Sequence, residues 1–185
     1  MRILYLGEQK NLTFFEFLNS KGNVDWKSKK INVSCVKKYD WIISYGYRHV
    51  ISKSVIDNVI NPIINLHISY LPYNRGANPN YWSFVDKTPK GVTIHYIDYG
   101  LDTGPILIQK KCKFNNDDTL KTSYEKLNIE VVKLFFESFN DIISGKIIAK
   151  NQKGKGSYHR KSDLPKKINW DTNINEIKHD RFRNN

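Results

Sequence analysis

Asn65-Leu66-His67 is the stretch of this chain where residue types and spacing come closest to a chemical apparatus. Side chains two apart on a strand project from one face, so Asn65 and His67 share a surface if the segment is extended, with Leu66 on the other side. An amide N–H can donate to an oxygen that gains negative charge, and an imidazole exchanges a proton near neutral pH. The pair therefore suits acyl transfer. The bland alternative is that both side chains only tie down the loop that follows. Further on, Gly100-Leu101-Asp102-Thr103-Gly104 sets one carboxylate in a turn between glycines, which allow close backbone approach. A carboxylate beside an imidazole orients the ring and favours its charged form; taken alone, Asp102 equally suits an Asx turn.

The elements that must position these groups follow from hydrophobic periodicity. Residues 3–6 form a short apolar run ending at Gly7, read as a strand. A helix follows through Phe14, Phe15, Phe17 and Leu18, with Thr13 and Glu16 at capping-box spacing and Gly22 as its stop. Residues 41–44 read as the second strand, 50–60 as a helix and 63–67 as a strand ending in the Asn-His pair. A long loop with Pro72, Asn74, Gly76, Asn78, Pro79 and Asn80 comes next, then a helical turn or two over 81–86. Strands are expected over 91–97 and 105–112. Leu120, Tyr124, Leu127, Val131, Leu134, Phe135, Ile142 and Ile143 recur at helical spacing over 119–144, with Gly145 as the stop. Strands alternating with helices predict an α/β domain with a mostly parallel sheet flanked by helices. Its strands deliver ligands to their carboxyl ends, where Asn65 and His67 lie.

Composition bounds the rest. The chain has 185 residues, 39% of them hydrophobic, which suits one domain able to fold without disulfides or a structural metal. Cys35 and Cys112 lie far apart and form no C-x-x-C pair, pointing to a reducing, cytoplasmic setting. The amino terminus turns polar at Glu8, too early for a signal-peptide core, and no apolar run reaches bilayer length, so no membrane partner is expected. No His, Cys and Asp set has a recognised metal-ligand spacing, and the lone Gly7 after the first strand is no dinucleotide fingerprint. The net charge of +12 invites a nucleic-acid reading. Against it, 24 Lys, 22 Ile and 20 Asn with only two Ala are the skew of an AT-rich coding sequence. Residues 145–185 hold 11 Lys and Arg against 4 Asp and Glu, a density that suits a phosphate-bearing small molecule as well as a duplex.

The two segments NLHISYLPYNRGANPNYW and GVTIHYIDYGLDTGPIL, with ISYGYR at 43–48, resemble the signature of the folate-dependent formyltransferases. That family includes the methionyl-tRNA, glycinamide ribonucleotide and sugar N-formyltransferases. The resemblance covers roughly residues 40–110; Tyr73-Asn74-Arg75-Gly76, Pro79-Asn80-Tyr81-Trp82 and Gly156-Ser157-Tyr158-His159 are most similar to the sugar branch. It implies a Rossmann-like formyltransferase fold over residues 1–150 with a basic carboxyl-terminal extension over 151–185, packed on the domain or partly mobile. The segment between the first strand and Ser44 looks short for the family, by about one strand.

The resemblance further implies N10-formyltetrahydrofolate as donor and the amine of a nucleotide-linked amino sugar as acceptor. dTDP-4-amino-4,6-dideoxyglucose or a similar sugar, used for surface polysaccharide, is the expected acceptor. Asn65, His67 and Asp102 match the family's catalytic trio: Asn65 and His67 stabilise the tetrahedral oxyanion, while Asp102 tunes His67 and helps remove the amine proton. Folate contacts are expected from Tyr45, Gly46, Tyr47, Arg48, His49, Val50, Tyr99 and Leu101, largely through backbone. The sugar nucleotide is assigned to Tyr73, Asn74, Arg75, Asn80, Trp82, Tyr158, His159 and Arg160. Core packing is the alternative for Trp82, a solvated basic stretch that for His159 and Arg160, and a hydrogen-bonded core residue that for His95; His179 receives no role. No further RNA-binding domain is expected, which makes initiator tRNA a poor acceptor. Glycinamide ribonucleotide formylation, hydrolysis of the donor and a catalytically silent nucleic-acid-binding protein are the alternatives. A homodimer is expected through a surplus apolar face at Leu134, Phe135 and Phe136.

Overall fold

The computed structural model describes residues 1–177; His179 and the end of the basic extension lie outside them. The chain runs through β1 (Arg2–Leu6), α1 (Leu12–Asn19), β2 (Asn23–Lys27), α2 (Val33–Val36), β3 (Trp41–Tyr45), α3 (Lys53–Ile56) and β4 (Ile64–His67). It continues through β5 (Arg75–Gly76), α4 (Pro79–Val85), β6 (Gly91–Tyr96), β7 (Ile106–Lys111), α5 (Leu120–Ile143) and β8 (Tyr158–His159). Six strands form one sheet in the order β2-β1-β3-β4-β6-β7. The first four are parallel, while β6 and β7 are antiparallel additions. The α/β fold with a mostly parallel sheet is thus as the sequence implied.

β1 and β3 are buried on both faces and read as apolar runs, whereas β4 and β6 alternate apolar with polar residues. Ile3, Tyr5, Ile43, Ile64, Leu66, Val92 and Ile94 face α1 and α5, meeting Phe14, Leu18, Leu127, Val131 and Phe135. Leu4, Leu6, Ile42 and Ile63 face the other way, onto Val36, Tyr39 and Val55. Each such fully buried side chain contributes about 1.5–3 kcal/mol. The long helix behaves as its periodicity predicts: Thr119 caps it in a reciprocal box with Thr122, and Gly145 follows it at φ 74.

Five expectations need correction. The strand over 41–44 is the third, because β2 fills the segment thought short by a strand. Its sequence, NVDWK, is half-exposed at the sheet edge, so polar residues break the apolar signal. The helix over 50–60 shrinks to Lys53–Ile56, since Val50 and Ile60 are exposed and supply no continuous buried stripe. The cap of α1 is Asn11, whose side chain accepts from Phe14 N, not the Thr13–Glu16 box. The face at Leu134, Phe135 and Phe136 is not surplus: Leu134 and Phe135 are buried, and Phe136 stacks on Phe17 with centroids 3.9 Å apart. A dimer has no free apolar surface there. Finally, the Asx turn after β6 belongs to Asp98, whose Oδ1 accepts from Gly100 N and Thr103 Oγ1, and this leaves the Asp102 carboxylate for other partners.

Beyond α5 the chain returns over the sheet. β8 pairs with β5, Leu164, Ile168 and Ile177 pack on Tyr81, Trp82, Val85 and Leu120, and Trp170 O and Thr172 O accept the Lys121 and Leu120 N–H groups at the start of α5. Among the described residues no helix is long and apolar enough to cross a membrane.

Candidate active site

The constellation forms on the sheet face opposite α5. Strand alternation sends Ile64 and Leu66 into the α5 core and Asn65 and His67 to the opposite face. The antiparallel register then sets His95 of β6 directly across from Asn65, and Thr93 across from His67. Such cross-strand partners stand within side-chain reach. The Asn65 Nδ2 to His95 Nε2 distance is accordingly 3.1 Å.

Asp102 enters from the β6–β7 turn in a left-handed conformation, φ 54. Its Oδ2 accepts from Gly76 N at 2.9 Å and lies 3.8 Å from His67 Nδ1, while its Oδ1 lies 3.7 Å from His95 Nε2. One carboxylate thus faces two imidazoles. Gly104 permits this turn, because a Cβ there would collide with the Tyr96 carbonyl oxygen.

Partner chemistry fixes the tautomers. A carbonyl can only accept, so His95 Nδ1 donates to Tyr96 O at 2.7 Å. Its Nε2 is then a lone pair that accepts from Asn65. Burial pushes the His95 imidazole down to about 4, outweighing the opposing pull of Asp102, so the ring is neutral at physiological pH. By the same reasoning His67 Nε2 donates to Asn74 O at 3.3 Å, and Nδ1 faces the carboxylate. The result is an amide with one N–H anchored and one free, an imidazole bracketed by two acceptors, and a carboxylate able to receive a proton. These are the parts of an acyl-transfer site.

Two cavities flank this set. One, of about 370 Å³, is lined by Ser44, Asn65, His95 and Asp102, together with Tyr47, His49, Val50, Tyr99 and Leu101 of the expected folate segments. The other, of about 670 Å³, runs past Glu8, Lys10 and Asn11 at the carboxyl end of β1 and over Gly76, Asn78 and Asn80 to Tyr124, Asn128 and Trp170. Asp102 lines the first and its hydrogen-bond partner Gly76 the second, while His67 lines neither. Both volumes fall in the range of small-molecule sites.

The residues expected to hold folate divide between the cavities: Tyr45, Gly46 and Arg48 line the larger one, where Tyr45 Oη donates to Asn128 and Arg48 pairs with Glu8. Those expected to hold sugar nucleotide mostly do not converge. Asn80 lines the larger cavity, although its Nδ2 is engaged by Leu120 O and Ser123 Oγ, and Tyr158 lines the smaller one. Asn74 is fully buried, bonded to Thr88 and Ser157, and Arg75 donates twice to Gln152. Trp82 and His159 stack face to face at 4.1 Å, and His159 is held by Asp86. Arg160 is exposed at the start of a short 3₁₀ turn, its N–H donating to Asp163, and Tyr73 is exposed beside neither cavity. Sequence reasoning left out His95, whose partnership depends on strand register. It also left out the residue 8–11 loop, Tyr124, Asn128 and Trp170. The loop was findable in principle, since it follows the carboxyl end of a parallel strand. Among the described residues no group of three His, Cys, Asp or Glu can hold a metal ion.

An α/β sheet that gathers an amide, an imidazole and a carboxylate beside a cavity carries the groups that acyl transfer needs. The formyl transferase family model matches residues 9–138, and the chain belongs to that family. It is 42% identical to the formyltransferase PseJ from Anoxybacillus kamchatkensis, a structure in complex with UDP-4,6-dideoxy-4-formamido-L-AltNAc and tetrahydrofolate. The TM-score is 0.88, with 95% of this chain and 96% of that one covered. It is 32% identical over 160 residues to dTDP-4-amino-4,6-dideoxyglucose formyltransferase of Mycobacterium tuberculosis, covering 80% of this chain and 68% of the relative. With methionyl-tRNA formyltransferase of Thermodesulfovibrio yellowstonii it shares 36% identity over 142 residues, 75% of this chain. The chain spans only 46% of that relative's length.

Proposed function

We propose that this chain transfers the formyl group of N10-formyltetrahydrofolate to the 4-amine of a nucleoside-diphosphate-linked 4-amino-4,6-dideoxy sugar. The observation that carries this reading is the gathering of Asn65, His67 and Asp102 beside a cavity. The smaller cavity is assigned to the folate head and the larger to the sugar nucleotide. The likeness to PseJ over nearly the whole of both chains favours a UDP-linked amino sugar of the L-AltNAc type; the dTDP-linked sugar expected from the sequence is the next acceptor in order. In the larger cavity Lys10 supplies charge for a diphosphate, and Tyr124 and Trp170, with ring centroids 6.4 Å apart, supply aromatic surface for a base. A role in surface polysaccharide assembly and a cytoplasmic location complete the reading.

In this reading the sugar amine attacks the formyl carbon, and the carbonyl oxygen becomes an oxyanion that accepts from the free Asn65 N–H and replaces Asn74 O as acceptor of the His67 Nε2–H. The amine loses a proton to Asp102, directly or through water. The C–N10 bond then breaks and N10 leaves with a proton, so a formamide and tetrahydrofolate result. One oxyanion donor is worth about 10²–10³ in rate, and a positioned proton acceptor about 10²–10⁴.

The test is a mass-spectrometric transfer assay with N10-formyltetrahydrofolate and UDP- and dTDP-linked 4-amino sugars, with glycinamide ribonucleotide, water and initiator methionyl-tRNA as competing acceptors. One added formyl group on a sugar, absent with Asn65→Ala and His67→Ala, is the expected result. Formylation of methionyl-tRNA alone replaces the sugar reading, and a folded protein that transfers to nothing overturns formyl transfer altogether.

A further inference from the structure

Gln152 lies outside the constellation yet touches both the backbone of the Asp102 turn and the side chain of Arg75 on β5. Its Nε2 donates to the carbonyl oxygens of Asp102 at 2.8 Å and Gly104 at 2.9 Å. Its Oε1 accepts from Arg75 Nε at 3.1 Å and Nη2 at 2.8 Å. Arg75 precedes Gly76 on β5, and alternate N–H groups of this short strand point opposite ways. Arg75 N and Ala77 N donate to Ser157 O and His159 O beside them, which leaves Gly76 N to point at Asp102 Oδ2. The carboxylate is therefore held by β5, and the main chain of its turn is held by Gln152, itself anchored to β5 through Arg75.

Asp102 needs such support. A left-handed conformation is unfavourable for a residue with a Cβ and persists where the surroundings enforce it. Both amide N–H groups of Gln152 and its oxygen are spent on this scaffold, and the side chain lines neither cavity beside the site.

We propose that Gln152 is a positioning residue for formyl transfer: it locks the Asp102 turn to the Arg75–Gly76 strand, so that one carboxylate faces both His67 and His95. The proposal rests on the formyl-transfer reading above. Gln152 touches no reacting atom, and its whole effect passes through Asp102. The segment after α5, fifty residues beyond the turn, is by this account part of the catalytic frame.

Gln152→Glu separates the two halves of the contact. It keeps an acceptor for Arg75 but removes both donors and sets an oxygen against two carbonyl oxygens. The expected outcome is a kcat lower by about 10- to 100-fold, as misplacement near one ångström produces, with the sugar-nucleotide KM within about threefold and melting within a few degrees of wild type. On an Asp102→Asn background the same change costs less than about threefold, because the carboxylate it positions is already gone. A kcat within threefold of wild type, or an equal loss on both backgrounds, overturns the proposal. If Gln152→Glu does not fold, Arg75→Met frees the Gln152 oxygen and gives a smaller loss, about 3- to 10-fold, with the same dependence on Asp102; no loss overturns the proposal equally. The wild-type run stands alone as the control on the reading beneath: a wild-type protein that formylates no acceptor removes the function and the positioning role together, whereas an active wild type with an unaffected Gln152→Glu removes only the latter.

Discussion

Two histidine–aspartate pairs in this molecule are built in opposite ways. His159 Nε2 lies 2.7 Å from Asp86 Oδ2, and the ring is pressed flat against Trp82. His67 Nδ1 lies 3.8 Å from Asp102 Oδ2, in a carboxylate shared with His95 and a backbone N–H. The first pair is in close hydrogen-bond contact and sits against the apolar cluster of Tyr81, Trp82, Val85 and Leu120. The second is spaced so that no partner fully satisfies another, and its carboxylate lines the smaller cavity. A tight buried pair fixes structure; a loosely shared one keeps a donor and an acceptor for a substrate. Proximity of His to Asp therefore does not mark a site, and incomplete mutual satisfaction beside a cavity does.

Variants that leave the fold intact break this contrast most sharply. His67→Ala and Asp102→Asn each lower kcat by about 10²–10⁴ while shifting melting by only a few degrees, measured by product formation and thermal denaturation on the same preparations. Asn65→Ala follows with about 10²–10³, from loss of the oxyanion donor. If either site variant melts far below wild type and recovers full activity on refolding, the loose pair is structural after all.

His159→Ala inverts the pattern. The substitution removes a buried ring that stacks on Trp82 and hydrogen-bonds Asp86, a loss of about 3 kcal/mol. For a chain of this size that lowers the melting temperature by roughly 6–12 °C. kcat per folded molecule stays within a few-fold of wild type. Retained stability with lost sugar binding would return His159 to the substrate site that the sequence suggested.

The contrast also shows what a single sequence displays. Strands β1 and β3 were legible because burial on both faces writes them as apolar runs, β6 because apolar and polar residues alternate along it, and α5 because its stripe and caps agree. β2 was hidden by Asp25 and Lys27 at an exposed edge, and the exposed Val50 and Ile60 imitated a helix. Asn65, His67 and Asp102 were legible since two motifs carry them. Trp82 and His159 drew attention for their chemistry, but their partnership spans 77 residues and follows from the β5–β8 pairing, which no local pattern announces. Sequence separation likewise hid the Tyr124–Asn128–Trp170 side of the larger cavity.

His95 stands between the two cases, and it yields the smallest and most discriminating effect. It is as deeply buried as His159, yet its Nε2 anchors the Asn65 amide. In the unfolded chain an imidazole titrates near 6.5, whereas burial holds His95 at about 4. Between those values the unfolded chain binds the extra proton, so stability that is full above pH 6.5 is lost as pH falls towards 4. Between pH 7 and pH 5 this amounts to about 2 kcal/mol. His95→Gln does not titrate and keeps an oxygen for Asn65, so its melting temperature should fall less over that interval than that of wild type. Its kcat at pH 7 should drop by less than that of Asn65→Ala, because the amide retains a partner. Parallel pH slopes for the two proteins would mean that His95 takes up its proton alike in the folded and unfolded chain, and that burial does not hold the ring neutral below pH 6.5.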